Sequence, residues 1–174
     1  ALTTIANETF GKVTATVEDS AANLAANLAT ASTDAITVKV TGTTATAAQL
    51  LAIDKVTSVV VDAKAVKTIT ADAADVADVT TVLAAKTIAK AADVAVTFTD
   101  DISALQANSI AKLATGVVTA TVADGSASYL NTTLKDAKAR EDKELRSKIN
   151  GDNRRGKPQS EETILKMKTK VVLI

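Results

Sequence analysis

The sequence predicts an α/β chain: a short parallel solenoid of about five strand–helix repeats over residues 1–130, leucine-rich-repeat-like in architecture, followed by a basic helix–loop–strand tail over residues 131–174. Three observations predict it. First, β-branched runs start at residues 13, 36, 59, 94 and 117, so three of the four intervals are 23 residues. Second, each run leads into a polar corner and then an Ala-rich stretch. Third, aromatics make up 2% of a chain that is 47% hydrophobic, so the core must be built from Ala, Val, Leu and Ile. Slim side chains suit thin, closely stacked layers, and self-similarity at a fixed period marks stacked supersecondary units.

The first unit, Val13–Ala35, opens with Val13–Val17, turns at Glu18-Asp19-Ser20 and continues as the helical stretch Ala21–Leu28, where Leu24 and Leu28 share a face. The second, Ile36–Ser58, runs Ile36–Val40, turns at Thr41-Gly42-Thr43 and enters Thr46–Ile53. The third starts at Val59 and lasts 35 residues; about 12 of these read as an insertion near Ala65–Ala73, before a helix over Ala73–Ala84. The fourth, Val94–Gly116, has the strand Val94–Phe98, the corner Thr99-Asp100-Asp101 and the helix Ile102–Ala114, with Leu105, Ile110 and Leu113 on its apolar face. The fifth begins with Val117–Val122 and turns at Asp124-Gly125-Ser126. Alternation of apolar residues with Thr or Lys marks strands with one buried face. Asp, Ser and Thr at the corners turn the chain and cap helix N-termini. A strand, a helix and a second strand in the same sense form a right-handed crossover, so repetition gives strands in one layer and helices in another. The competing arrangement is one doubly wound α/β domain, which ordinarily carries a Gly-rich phosphate turn after a strand; this sequence has none.

Charge divides the chain. Residues 1–130 hold eight Lys, no Arg and thirteen acids, a net −5; residues 131–174 hold twelve Lys plus Arg and seven acids, a net +5. Asn131–Ile149 reads as a charged helix with Leu134, Ala137, Leu145 and Ile149 as a narrow apolar stripe. Gly151–Pro158 breaks it as a loop. Ile164–Ile174 reads as a strand in which Lys166, Lys168 and Lys170 alternate with Met167, Thr169 and Val171. The apolar terminus Val171, Val172, Leu173, Ile174 is expected to join a sheet edge, of its own chain or of a partner, or to cap the last repeat. Together with Arg154 and Arg155 these lysines and apolar residues are the candidate assembly residues.

The residue types present exclude much chemistry. Absence of Cys removes disulfides, thiolate metal sites and cysteine nucleophiles. Absence of His removes the usual general base and the commonest metal ligand. Ser20, Ser103, Ser126 and Ser128 have no partner base in a recognisable pattern, and carboxylate pairs for sugar hydrolysis would want aromatic platforms. Asp72, Asp75 and Asp78 are spaced to share a helix face, and with Glu18-Asp19 and Asp100-Asp101 they admit a calcium reading; helix capping and corner solvation account for them as well. The expectation is no enzyme, no cofactor and no metal. Arg154, Arg155 and Lys157 are too narrow a basic patch, without aromatics, for nucleic acid, and read as a solvated loop or as a contact to an acidic neighbour. No apolar run reaches the ~18 residues of a membrane span. The expected partners are proteins of a larger assembly, a homo-oligomer among them.

The segments ISALQANSIAKLATGVVTATVAD (Ile102–Asp124), VEDSAANLAANL (Val17–Leu28) and VVVDAKAVKTITADAADV (Val59–Val76) resemble the Ala/Thr/Val-rich repeats of very large cyanobacterial surface proteins and of virion proteins of phages that infect cyanobacteria. The resemblance covers about residues 13–130. It implies display and attachment rather than catalysis: a structural or adhesive module on a virion or bacterial surface, with a phage fibre or appendage foremost. A soluble binding module for a protein or glycan is the alternative.

Overall fold

The computed structural model describes residues 2–123, 125–134 and 169–173. The chain is α/β, with parallel strands in two sheets and helices alternating with them. A short helix, α1 (Leu2–Glu8), comes first. Strand β1 (Thr14–Ser20) runs straight into α2 (Ala21–Asn27). The next pass has two strands, β2 (Ala35–Thr41) and β3 (Thr44–Thr46), before α3 (Ala47–Asp54). Then come β4 (Val61–Ala63), β5 (Thr68–Ala71) and α4 (Val76–Ala84), and after them β6 (Ile88–Lys90), β7 (Ala95–Ile102) and α5 (Ala104–Leu113). Strand β8 (Val118–Val122), α6 (Ala127–Thr133) and β9 (Thr169–Leu173) are the last elements among the described residues.

The first sheet has the order β1-β2-β4-β6 and is wholly parallel. The second has the order β3-β5-β7-β8-β9, parallel except for the last pair. A sequence reading with one strand layer is therefore corrected to two. The runs at 13, 36 and 59 enter the first sheet, whereas those at 94 and 117 enter the second. The long third interval holds no insertion. Val61 pairs with Ile88, one full pass later, and the chain then crosses from β6 to β7. Thr68–Ala71, inside the expected insertion, is β5, paired with β3 on one side and β7 on the other. Strands of three or four residues carry too short an alternation to stand out from the flanking Ala, Lys and Thr.

The core lies between the sheets and the helices. Along β2, Ile36, Val38 and Val40 are buried while Thr37 and Lys39 face out. Along β8, Val118, Ala120 and Val122 are buried. From the helices, Leu24, Leu50, Ile53, Val79, Val82 and Ile110 close the layer. Each fully buried Ile or Leu contributes about 1.5–3 kcal/mol by leaving water. The helices pack in order, α2 on α3, α3 on α4, α4 on α5 and α5 on α6. Of the residues expected on the apolar face of α5, Ile110 is buried, whereas Leu105 and Leu113 are exposed and Ala104 and Ala107 are buried instead. The capping box of Ser103 with Gln106 fixes where α5 begins, and that start sets which face is inward.

Polar groups stitch the passes where strands end. The Asp34 carboxylate accepts the N–H groups of Val13 and Ala31, each at 3.0 Å, and its backbone carbonyl accepts the N–H and hydroxyl of Ser58, each at 2.8 Å. Buried Thr57 donates to the Ile36 carbonyl at 2.6 Å and accepts the Val59 N–H at 3.1 Å. Backbone groups that a ladder does not reach are thus paired. At the start of the chain, Thr3 ties α1 to the end of α2, donating to the Asn27 carbonyl at 3.0 Å and accepting the Ala29 N–H at 3.3 Å.

Candidate interaction surface

Since every strand is pleated, burying one face turns the alternate residues outward. In the second sheet the register aligns Thr46 with Thr70, Thr70 with Thr97, and Thr97 with Thr119. Four threonines from four passes therefore stand in one row across the strands, about 4.8 Å apart. A second row, Thr44 and Thr68, ends at Ala95. No side-chain hydrogen bond engages the hydroxyls of Thr70, Thr97 or Thr119 among the described residues, so they are left to solvent or a partner. The Thr46 hydroxyl differs, because it accepts the Gln49 N–H as the cap of α3. After Thr97 the pairing shifts so that Asp101 lies opposite Thr121. This bulge displaces Thr99 and Asp100 from the row and increases local twist.

The outer face of the first sheet is charged. Glu18, Lys39 and Asp62 stand in register on β1, β2 and β4. Lys39 Nζ donates to Glu18 Oε1 at 2.6 Å, with both side chains about half exposed. That hydrogen bond, and the charges of Glu18 and then Asp62, raise the Lys39 pKa above its ordinary value. An ion pair so open to water adds little to stability.

Two hollows flank the first passes. One, of about 370 Å³, lies beside β3, lined by Ser20, Ala22, Gly42, Thr44 and Gln49 among others. It marks the place beside β3 where the first pass sends no strand, since β1 leads directly to α2. The other, of about 210 Å³, lies between α1, β1 and α2, and its one ionisable lining group is Asp19. The Asn23 amide donates to Asp19 at 2.9 Å and the Ser20 N–H at 2.6 Å, which holds that carboxyl below its ordinary range.

The candidates named from sequence fall as follows. Ser20, Ser103 and Ser126 accept the N–H groups of Asn23, Gln106 and Tyr129 as helix caps. Ser128 lies within α6, its carbonyl accepting the Thr132 hydroxyl. Asp72, Asp75 and Asp78 do not share a helix face: Asp72 lies in the turn before α4 and accepts the Ala74 and Asp75 N–H groups, Asp75 is the residue before the helix, and Asp78 is in its first turn. Among the described residues no three acidic groups stand together as a metal cluster. Glu18 and Asp19 lie within β1 and Asp100 and Asp101 within β7, rather than at corners. Lys170, Val171, Val172 and Leu173 lie in β9, whose backbone pairs antiparallel with β8 from Val118↔Leu173 to Val122↔Thr169. Arg154, Arg155, Lys166, Lys168 and Ile174 lie outside the described residues, as do the expected helix after residue 134 and the loop at 151–158.

The threonine row was missed in the sequence, although a signal for it exists. Thr-x-Thr occurs at Thr14–Thr16, Thr41–Thr43, Thr44–Thr46, Thr68–Thr70, Thr97–Thr99 and Thr119–Thr121. The last four of these pairs begin strands of the second sheet or lie within them. No helix among the described residues is long and apolar enough to cross a membrane. No protein-family model matches the chain, and neither a curated protein nor a solved structure matches it significantly.

Proposed function

We propose that the chain is a non-enzymatic structural or adhesive protein displayed on a virion or bacterial surface, a short parallel solenoid serving as spacer or binding wall, with its C-terminal tail as assembly anchor. The observation that carries this reading is the row Thr46–Thr70–Thr97–Thr119, one residue from each of four successive passes. Passes that add one strand at a time to each sheet build a rod with an outward-facing wall, and nearest-neighbour stacking of this kind is how solenoids hold together. Threonine gives that wall both hydroxyls and methyls without long side chains to order on contact. The Ala/Thr/Val-rich character shared with cyanobacterial surface and phage virion repeats supports the same placement. Labelling intact virions and intact cells with an antibody to residues 35–122 tests it. Decoration of the outer surface is expected; label that enters only after lysis contradicts display.

A second reading, a soluble binding module for a protein or glycan, is favoured by the same unpartnered threonines. It predicts a monomer that captures one partner and loses it in the Thr70→Lys, Thr97→Lys double variant. Capture unchanged by that variant would remove this reading.

A further inference from the structure

We propose that β9 is an exchangeable strand: Thr169–Leu173 of one copy completes the second sheet of a neighbouring copy by pairing with that copy's β8. The inference rests on the assembly reading above and names its partner as a second copy of this chain. Every other neighbouring pair in both sheets is parallel and joins strands of successive passes. Among the described strands only β9 pairs antiparallel, and it does so on the edge that β8 would otherwise leave open. An open edge of this kind presents unpaired N–H and C=O groups to any extended segment.

The length of the connection bears on whose β8 is used. An antiparallel neighbour can be joined by as few as two residues. Here Leu134 and Thr169 are separated by residues 135–168. Fully extended, a chain of that length reaches roughly 110 Å at ~3.3 Å per residue, many times the ~4.8 Å between strands. A long connection favours the chain's own β8 only as far as an effective concentration of about millimolar order allows. On the display reading above, copies held side by side would compete in that range. The five backbone pairs from Val118↔Leu173 to Val122↔Thr169 are the same contacts whether made within a chain or between chains. Exchange of an identical element is a low-cost route to dimers, and one-way exchange extends into an open array.

The chain has no Cys, so introduced thiols report without background. Thr119 and Val172 are register partners, and Thr119 sits half-buried on the outer row, where substitution leaves the core intact. The full-length Thr119→Cys and Val172→Cys variants are mixed, oxidised mildly and run without reductant. A disulfide-linked dimer of the two variants, in excess of what either gives alone and rising with concentration, is the expected result. Two results would overturn the proposal. One is a double variant that cross-links only within its own chain while the mixture gives no mixed dimer at any concentration, which makes β9 a cap of its own sheet. The other is no cross-link in either experiment, which removes β9 from β8. Neither outcome bears on whether the antibody decorates intact surfaces, so the two proposals fail separately.

Discussion

The Asp34 carboxylate accepts the backbone N–H of Val13 at 3.0 Å, a contact between residues 21 apart that lies just ahead of the pairing of β1 with β2. The same carboxylate holds Ala31, and the Asp34 carbonyl holds Ser58 of the following pass. One residue, 3% exposed, thus joins three consecutive passes. Asp34→Ala leaves two N–H groups without their acceptor. A hydrogen bond to a charged group contributes about 1.5–3 kcal/mol at most, and with Val13 half-buried and Ala31 exposed the variant is expected to lose about 1–2 kcal/mol in urea unfolding. A loss under ~0.5 kcal/mol would show that the contact does not form.

Ile69 and Thr70 are neighbours on β5 with opposite fates, the first fully buried and the second in the outer row. Ile69→Ala is expected to destabilise by about 2–5 kcal/mol through lost burial and the cavity left behind. Thr70→Ala, at a half-buried position with no side-chain hydrogen bond, is expected to cost less than about 1 kcal/mol. Equal effects at the two positions would mean that β5 is not a half-buried strand.

Gly116 is required by space rather than by backbone angle. A Cβ there would stand 2.3 Å from the Asp93 carbonyl oxygen and 2.6 Å from that of Val94. Both are main-chain atoms at the β6–β7 junction, which cannot swing aside as a side-chain tip can. Gly116→Ala is expected to cost about 1–3 kcal/mol, the range of overpacking. Amide exchange at Val96, whose N–H donates to the Val117 carbonyl, is expected to accelerate with it. An unchanged midpoint would place the two passes further apart than described.

Two exposed groups add small slopes to the stability profile, one at its acid end and one at its alkaline end. The Asn23 and Ser20 hydrogen bonds depress the Asp19 pKa below 3.8. A depressed carboxyl stabilises the fold above its unfolded pKa and loses that stabilisation as pH falls through the folded value. Lys39, raised above 10.5 mainly by Glu18, stabilises fully below its unfolded pKa and loses the effect as pH rises through the folded value. Between the two, neither group adds a slope. Urea midpoints measured against pH are expected to show a flatter acid limb for Asn23→Ala and a flatter alkaline limb for Lys39→Met. Swapped or unaltered limbs would show that other groups control them.

The longer elements were legible in the sequence because their periodicity runs for enough residues to be read. Ala21–Leu28 is close to α2, Thr46–Ile53 to α3, Ile36–Val40 to β2 and Val117–Val122 to β8. The caps at Ser20 and Ser126 were legible too, since both lie in the expected corners and accept N–H groups three residues on, whereas the cap at Ser103 was not, because the helix was read as starting at Ile102. The split into two sheets was not. β3, β5 and β6 are three or four residues long, and Thr44-Ala-Thr or Ile88-Ala-Lys reads equally as loop. The tight corner at Gly42, the one residue with positive φ among those described, lets β2 and β3 lie in different sheets only two residues apart. A 23-residue spacing blurred this point, because the register actually advances by 21 residues at Thr16↔Thr37, 23 at Lys39↔Asp62 and 27 at Val61↔Ile88. Of the outward surface, Thr-x-Thr was visible as a pattern, but which threonines line up depends on register, which no single strand encodes. Asp34 was passed over because a lone Asp before a strand looks like any other turn residue.

Interstrand backbone NOEs around β5 test the account most directly. If successive passes stack in two sheets, contacts will run in order from Ala45 to Ile69, from Ile69 to Val96 and from Val96 to Val118. Contacts joining Val61 directly to Val96, with residues 65–73 exchanging freely as a loop, would contradict it.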